Sequence, residues 1–291
     1  MTNEQQIEQK LEQLQDFVVL VETYETIAGT SVRRIRDSVL ANRAFHEGLN
    51  QMYHEITSAY EKKVISFMKK KSGKIAGQAI LFQKQRKKTA FVLISANTGL
   101  YGDIMLRVFS AFAAESRRAK GDIVIVGRMG RMFFEDAMSG TEFIYFDFPD
   151  NIIAIENLKD ISNFLAPYEK VVVFYALFKN VLTQEVKASI VSGTELPTEK
   201  NNEKAASIYF FEPSLEEVAL FFEKEIFASL LEQVFQESRL AKLASRMILL
   251  DHALANAENE MRRTILQKNQ VWHRKINHEL LNSLNGVMLW G

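Results

Sequence analysis

Five histidines and no cysteine limit the chemistry this chain could carry. Without cysteine there is no disulfide, no thiolate nucleophile and no Cys-based zinc site. His46, His54, His252, His273 and His278 form neither an HExxH motif nor an i, i+4 pair, a spacing unsuited to a metal. No Ser-His-Asp order and no paired carboxylates stand out, although such sites assemble in space rather than along a sequence. The expectation is a chain without catalytic residues, cofactor or metal.

Three stretches could still bind something. "FVLISANTGLYGDIMLRVF" reads as a strand, a glycine-containing turn and a helix, an arrangement whose N–H groups can cradle phosphate. It has Gly99 and Gly102 but neither GxGxxG nor GxxxxGK[ST], and Asp103 at the helix start would repel an anion. A plain strand–helix turn is the better reading. "KKVISFMKKKSGK" is basic, yet no aromatic residues are interleaved on a basic strand surface as in nucleic-acid binders. It lies where a first helix would end, a place the helix dipole favours for lysine. A solvated helix end or a charged contact with a partner therefore fits it better than nucleic acid. "SVRRIRDSV" sets Arg33, Arg34 and Arg36 around one helical turn, as a solvated face or an ionic contact with an acidic partner loop.

The elements that carry these stretches are marked by punctuation. The four prolines, Pro149, Pro167, Pro197 and Pro213, all fall in the middle of the chain and at its exit. Ahead of them, Ile7, Leu11, Leu14, Val18, Val21, Tyr24, Ala28, Val32, Ile35 and Val39, then Phe45, Leu49, Met52 and Ile56, recur in steps of three and four. That is the seam of a coiled coil, and from Thr2 to Met68 it predicts a helix on the order of 100 Å long. After "EPSLEE", where Ser214 and Glu217 make a capping box, a second such pattern runs to Gly286. Its apolar positions include Leu240, Leu243, Met247, Leu250, Leu254, Met261, Ile265, Trp272, Ile276, Leu280 and Leu284. Two long amphipathic helices at opposite ends of a chain can satisfy each other as an antiparallel pair.

Between them the period changes. "IAGQAILF", "TAFVLISA", "GDIVIVG", "EFIYFDF" and "KVVVFYALF" are short β-rich runs. They alternate with the helical stretches "DIMLRVFSAFAAESRRAK" and "NIIAIENLKDISNFLA", and "ASIYFFEP" reads as a last strand after the solvated loop "TELPTEKNNEK". The fold class is α/β: a long antiparallel coiled coil of the two terminal helices (1–72 and 213–291) plus a central, mainly parallel, Rossmann-like domain (73–212). Formal charge balances at zero, so no global field points to nucleic acid or an anionic membrane surface. No apolar run approaches the roughly 20 residues that cross a bilayer, and "MTNEQQIEQKLEQLQD" is unlike a signal peptide. The reading is a soluble chain that reaches a membrane only through partners. A chain with about half its length in paired helices suits mechanical or scaffolding work.

In that layout four stretches are similar to recurring motifs of one family. They are "IEQKLEQLQDFVVLVETYETIAGTSVRR" with Glu25, Ala28 and Arg33; "SANTGLYGDI" with Ser95, Gly99, Leu100 and Gly102; "YFFEP"; and "ESRLAKLASRMILLDHALANA" followed by "INHELLNSLNG". The last keeps Glu237, Ser238, Ala241, Arg246, Met247, Asn256, Ile276, Glu279, Leu280 and Gly286 in register. The sequence resembles the gamma subunits of F-type ATP synthases, as a divergent member: Val19 and Glu22 stand where lysines are common, and Trp272, His273 and Asn277 replace the usual residues near the tip.

The resemblance implies a central rotor shaft inside a ring of alpha and beta subunits, joined by its base to the epsilon subunit and the membrane c-ring. It also implies a place on the cytoplasmic face of the bacterial membrane. The ring contacts it implies are His273, Arg274, Asn277, Glu279, Met288 and Trp290 near the tip, with Arg33, Arg34 and Arg36 lower on the helix. The apolar end "VMLW" would turn in an axial sleeve, where non-directional contacts leave no deep ionic wells. A nucleotide-dependent α/β enzyme and a cytosolic coiled-coil adaptor are the alternatives.

Overall fold

The computed structural model describes the backbone at residues 3–74, 87–153, 155–191 and 215–289, and side chains over 4–45, 89–153, 155–191 and 225–284. The expected strands "IAGQAILF" and "ASIYFFEP", the loop "TELPTEKNNEK", the Ser214 cap, the Met288 side chain and Trp290 lie outside the described residues. In chain order the elements are α1 (Asn3–Lys74), β1 (Lys87–Ile94), α2 (Ile104–Arg118), β2 (Asp122–Val126) and α3 (Arg128–Ala137). They are followed by β3 (Ile144–Phe146), α4 (Ile155–Leu165), β4 (Tyr168–Phe178), β5 (Gln184–Ile190) and α5 (Leu215–Leu289). The chain divides into two compact units, Met1–Ser31 with Arg246–Gly291, and Val32–Ser245.

The larger unit holds a five-stranded sheet of order β3-β2-β1-β4-β5. The first four are parallel and β5 closes the edge antiparallel to β4. Parallel strands need crossover connections, and helices on both faces leave each strand buried on both sides, which explains the unbroken apolar runs of β1 and β4. The pleat sorts their residues. Phe91 and Leu93 face one core with Phe174, Ala176 and Phe178, against Ile104, Val108 and Phe112 of α2. Ala90, Val92 and Ile94 face the other with Val171, Val173 and Tyr175, against Leu158, Ile161 and Leu165 of α4. Helix α5 contributes to both cores, with Leu231, Val234 and Phe235 in the second and Leu240, Ala241, Leu243 and Ala244 in the first. It crosses from one face to the other beyond the carboxyl ends of the strands.

The smaller unit is the antiparallel pair that the sequence predicts. Lys10 meets Glu260, Glu8 meets Lys268 and Glu4 meets Lys275, so partners climb along one helix as they descend along the other. In α1 every seam residue from Ile7 through Leu11, Leu14, Val18, Val21, Glu25 and Ala28 is buried or half-buried, in strict alternation of four and three. Five expected positions of this seam, Tyr24, Ile265, Trp272, Leu280 and Leu284, are exposed. Tyr24 is exposed and Glu25 takes its place; Ile265 and Trp272 face outward while Thr264, Lys268 and Val271 line the seam. In the larger unit Phe45 is 62% exposed, and the half-buried Arg43 turns toward α5 instead.

Candidate functional site: a helix seated in the crevice of the sheet

In open parallel sheets the natural ligand site is the crevice beyond the carboxyl ends of the strands, where neighbouring connections diverge to opposite faces. Here that crevice follows β1, and the chain fills it with its own groups. Ser95 ends the strand; its Oγ donates to the carbonyl of Val126 (2.6 Å) and accepts the N–H of Gly130 (2.9 Å) in the first turn of α3. The N–H of Met129 goes to the carbonyl of Ala96 (2.8 Å), and that of Arg128 to Oδ1 of Asn97 (2.9 Å). The N–H groups at the start of α3 that could hold a phosphate are therefore already bonded. Gly130 is required for this fit, since a Cβ there would stand 2.6 Å from Ser95 Oγ.

The β1–α2 turn is held by a carboxylate 52 residues beyond Thr98. Asp150 Oδ2 accepts the N–H of Asn97 (2.9 Å), the N–H of Thr98 (2.8 Å) and the hydroxyl of Thr98 (2.8 Å). Its other oxygen receives Lys242 Nζ at 3.0 Å, and the same ammonium donates to the carbonyl of Ser95 at 2.9 Å. Both side chains are buried. Burial alone would raise the Asp150 carboxyl, but the Lys242 charge and the bonds from Lys242 and Thr98 outweigh it and hold it below the usual carboxylate value. One turn before Lys242, Arg239 donates to the carbonyl of Asn151; one turn after, Ser245 donates to the carbonyl of Tyr101 (2.7 Å). Three polar contacts at i, i+3 and i+6 thus fasten α5 where it crosses the sheet. A fourth joins the two long helices, from Arg43 to Oε1 of the buried Glu237 (Nε 2.8 Å).

The sequence-predicted contact residues lie elsewhere. Arg33, Arg34 and Arg36 form an exposed turn of α1 in the larger unit, with Arg36 Nε 3.1 Å from Asp37. His273, Arg274 and Asn277 share an exposed face of α5 in the smaller unit, with the His273 ring edge-on to Trp272 at 5.1 Å, and Glu279 is exposed on the other side of the helix. Beyond the last ion pair, Glu4 with Lys275, residues 277–284 are all exposed. Sequence reading passed over Asp150, Lys242 and Ser245. The available signal was a lysine set among small and apolar residues in "RLAKLAS", where a solvated helix face would not place it.

One unit is an α/β sheet whose crevice is packed with the chain's own helix, and the other is an antiparallel pair of long helices, the two elements expected of a rotor subunit. A family model described as ATP synthase matches residues 3–287, and the chain belongs to that family as an F-type gamma chain, a rotor subunit. It is a divergent member. It is 26% identical to the ATP synthase gamma chain of Clostridium acetobutylicum, over 90% of this chain and 89% of that one. To the gamma chain of Flavobacterium johnsoniae it is 22% identical, over 99% and 98%. The fold is similar to a chain of the Tetrahymena thermophila mitochondrial ATP synthase central stalk and c-ring (TM-score 0.55, 18% identity, 80% of this chain and 99% of that one). It is also similar to one in the Euglena gracilis mitochondrial ATP synthase assembly of OSCP, F1 and c-ring in rotational state 3 (TM-score 0.52, 12% identity, 89% and 94%).

Proposed function

We propose that this chain turns inside a ring of alpha and beta subunits and carries torque between that ring and a membrane c-ring, with an epsilon subunit bound beside it. The observation that carries this reading is the seven-residue seam of the smaller unit, closed by three interhelical ion pairs, in a chain of the gamma family. Paired helices resist bending and twisting better than a single one. An asymmetric shaft in a three-fold ring also makes different contacts with each site, the differential interaction that any coupling of sites requires. No helix among the described residues is long and apolar enough to cross a membrane, and attachment to the cytoplasmic face of a bacterial membrane would come through partners.

In this reading His273, Arg274, Asn277 and Glu279, followed by Met288 and Trp290, meet the upper ring, while Arg33, Arg34 and Arg36 face acidic loops of the beta subunits. Two experiments test it. Affinity capture of the chain from detergent-solubilised membranes should bring down alpha and beta subunits; their absence would favour the adaptor. Replacing Asn277 and Glu279 together by alanine should lower torque and coupled ATP turnover, and unchanged values reject the tip assignment.

A further inference from the structure

We infer that Arg239, Lys242 and Ser245 act as positioning residues that set the torsional stiffness of the joint between α5 and the sheet. The inference rests on the rotor reading and adds to it the place where torque passes between sheet and shaft helix.

Two kinds of contact hold α5 in its crevice. Leu231, Val234, Phe235, Leu240, Ala241 and Ala244 supply adhesion, being buried among the side chains of both cores. Apolar contact is non-directional: close packing resists rotation sterically, but it fixes no bond angle and tolerates repacking of similar volume. Hydrogen bonds are directional and weaken steeply with angle. Four of them come from three residues that stand one turn apart on a single face of α5, and their acceptors lie in different connections: the β1–α2 turn (Ser95 and Tyr101) and the β3–α4 loop (Asp150 and Asn151). Successive residues of a helix are about 100° and 1.5 Å apart, so slippage by one residue breaks them all together.

Adhesion does not explain a buried lysine. Desolvating Lys242 and Asp150 opposes folding, and an apolar pair of similar volume commonly holds a protein together as well or better. What an ion pair supplies that an apolar pair does not is a unique register, and a shaft that must deliver torque without slip needs one.

The test is made in the complex of the full chain with its alpha and beta subunits, fixed to glass by the ring. The chain has no cysteine, so Ser139→Cys, on an exposed loop between α3 and β3, takes a single bead. In the double variant Lys242→Met/Asp150→Asn the ion pair goes without leaving a lone charge, while the asparagine carbonyl still accepts from Asn97 and Thr98. The expected result is a roughly twofold broader angular variance of the bead during the catalytic pauses, with the ATP hydrolysis rate unchanged, as lost directional contacts soften the joint. A purely structural role would lower the unfolding midpoint and leave the angular width as it was, and that result overturns the inference. Should the double variant not assemble, Ser245→Ala removes one neutral bond and decides by the same criterion with a smaller broadening. A wild-type bead that does not turn on ATP overturns the rotor reading and the inference with it. A variant that turns with wild-type width overturns the inference alone.

Discussion

Asp150 is the residue on which the crevice depends, because it ties together a turn, a loop and a helix that are remote in sequence. Removing only its partner leaves a buried carboxylate unpaired, so Lys242→Met should destabilise the larger unit by about 3 kcal/mol or more, measured by urea denaturation. Lys242→Met/Asp150→Asn should recover most of that loss, a non-additivity expected of groups in direct contact. The sign of the pH dependence follows from the direction of the shift. A carboxyl held below its ordinary value contributes stability that is complete above that value, about 3.9, and is lost as pH falls through the lower folded one. Stability against pH should therefore fall less steeply below about pH 4 in Asp150→Asn than in the wild type. Gly130 tests the same crevice sterically. Gly130→Ala presses a methyl group against Ser95 and should cost about 1–3 kcal/mol, since neither α3 nor the end of β1 can give way without breaking the bonds between them.

At the scale of elements the seam of the helix pair makes a sharp contrast between neighbours. Val21 is 2% exposed and Leu20 is 53% exposed. Val21→Ala should cost about 2 kcal/mol of thermal stability, and Leu20→Ala less than about 0.5, although leucine loses more atoms. The two long helices, α2, α4 and the parallel strands were legible because each declares itself locally, by a period of three and four or by a short β-rich run. What was not legible has physical reasons. Ile265 beside the polar Thr264, and Trp272 beside Val271, let the seam be drawn one residue late, and only the facing helix decides that small Thr264 goes inward and bulky Ile265 outward. Strand β5, "QEVKASI", was missed because an edge strand with charged, exposed residues carries no apolar signature; its pairing comes from β4 and from the turn in which Asn180 Oδ1 accepts the N–H of Thr183 (2.8 Å). Helix α3 was unread because its start is fixed by bonds from Ser95, Ala96 and Asn97, about 30 residues earlier. The Lys242–Asp150 pair spans 92 residues, and no local pattern predicts such a meeting.

For the whole molecule the question is whether folding and work can be separated, and the end of α5 offers the test. The ion pairs are complete by Lys275, whereas residues 277–284 are all exposed. Leu280, Leu281 and Leu284 are each more than half exposed. They lie within about 100° of one another around the helix, one exposed apolar face that gains little from the chain's own fold and that a partner would account for. A chain shortened after Ile276 should keep the unfolding temperature of the full chain within about 2 °C, because surface positions contribute little to stability. In the rotary complex the same shortened chain should lose torque and coupled ATP synthesis while still co-purifying with alpha and beta subunits through its remaining length. The two measurements move together only if the end stabilises the chain itself. A fall of many degrees in the isolated chain would mean that 277–291 packs back on the helix pair, and would remove the reason for placing this segment in the ring. An unchanged torque with an unchanged unfolding temperature would take the working contact away from this end and give it to the exposed arginines at 33, 34 and 36 of the larger unit.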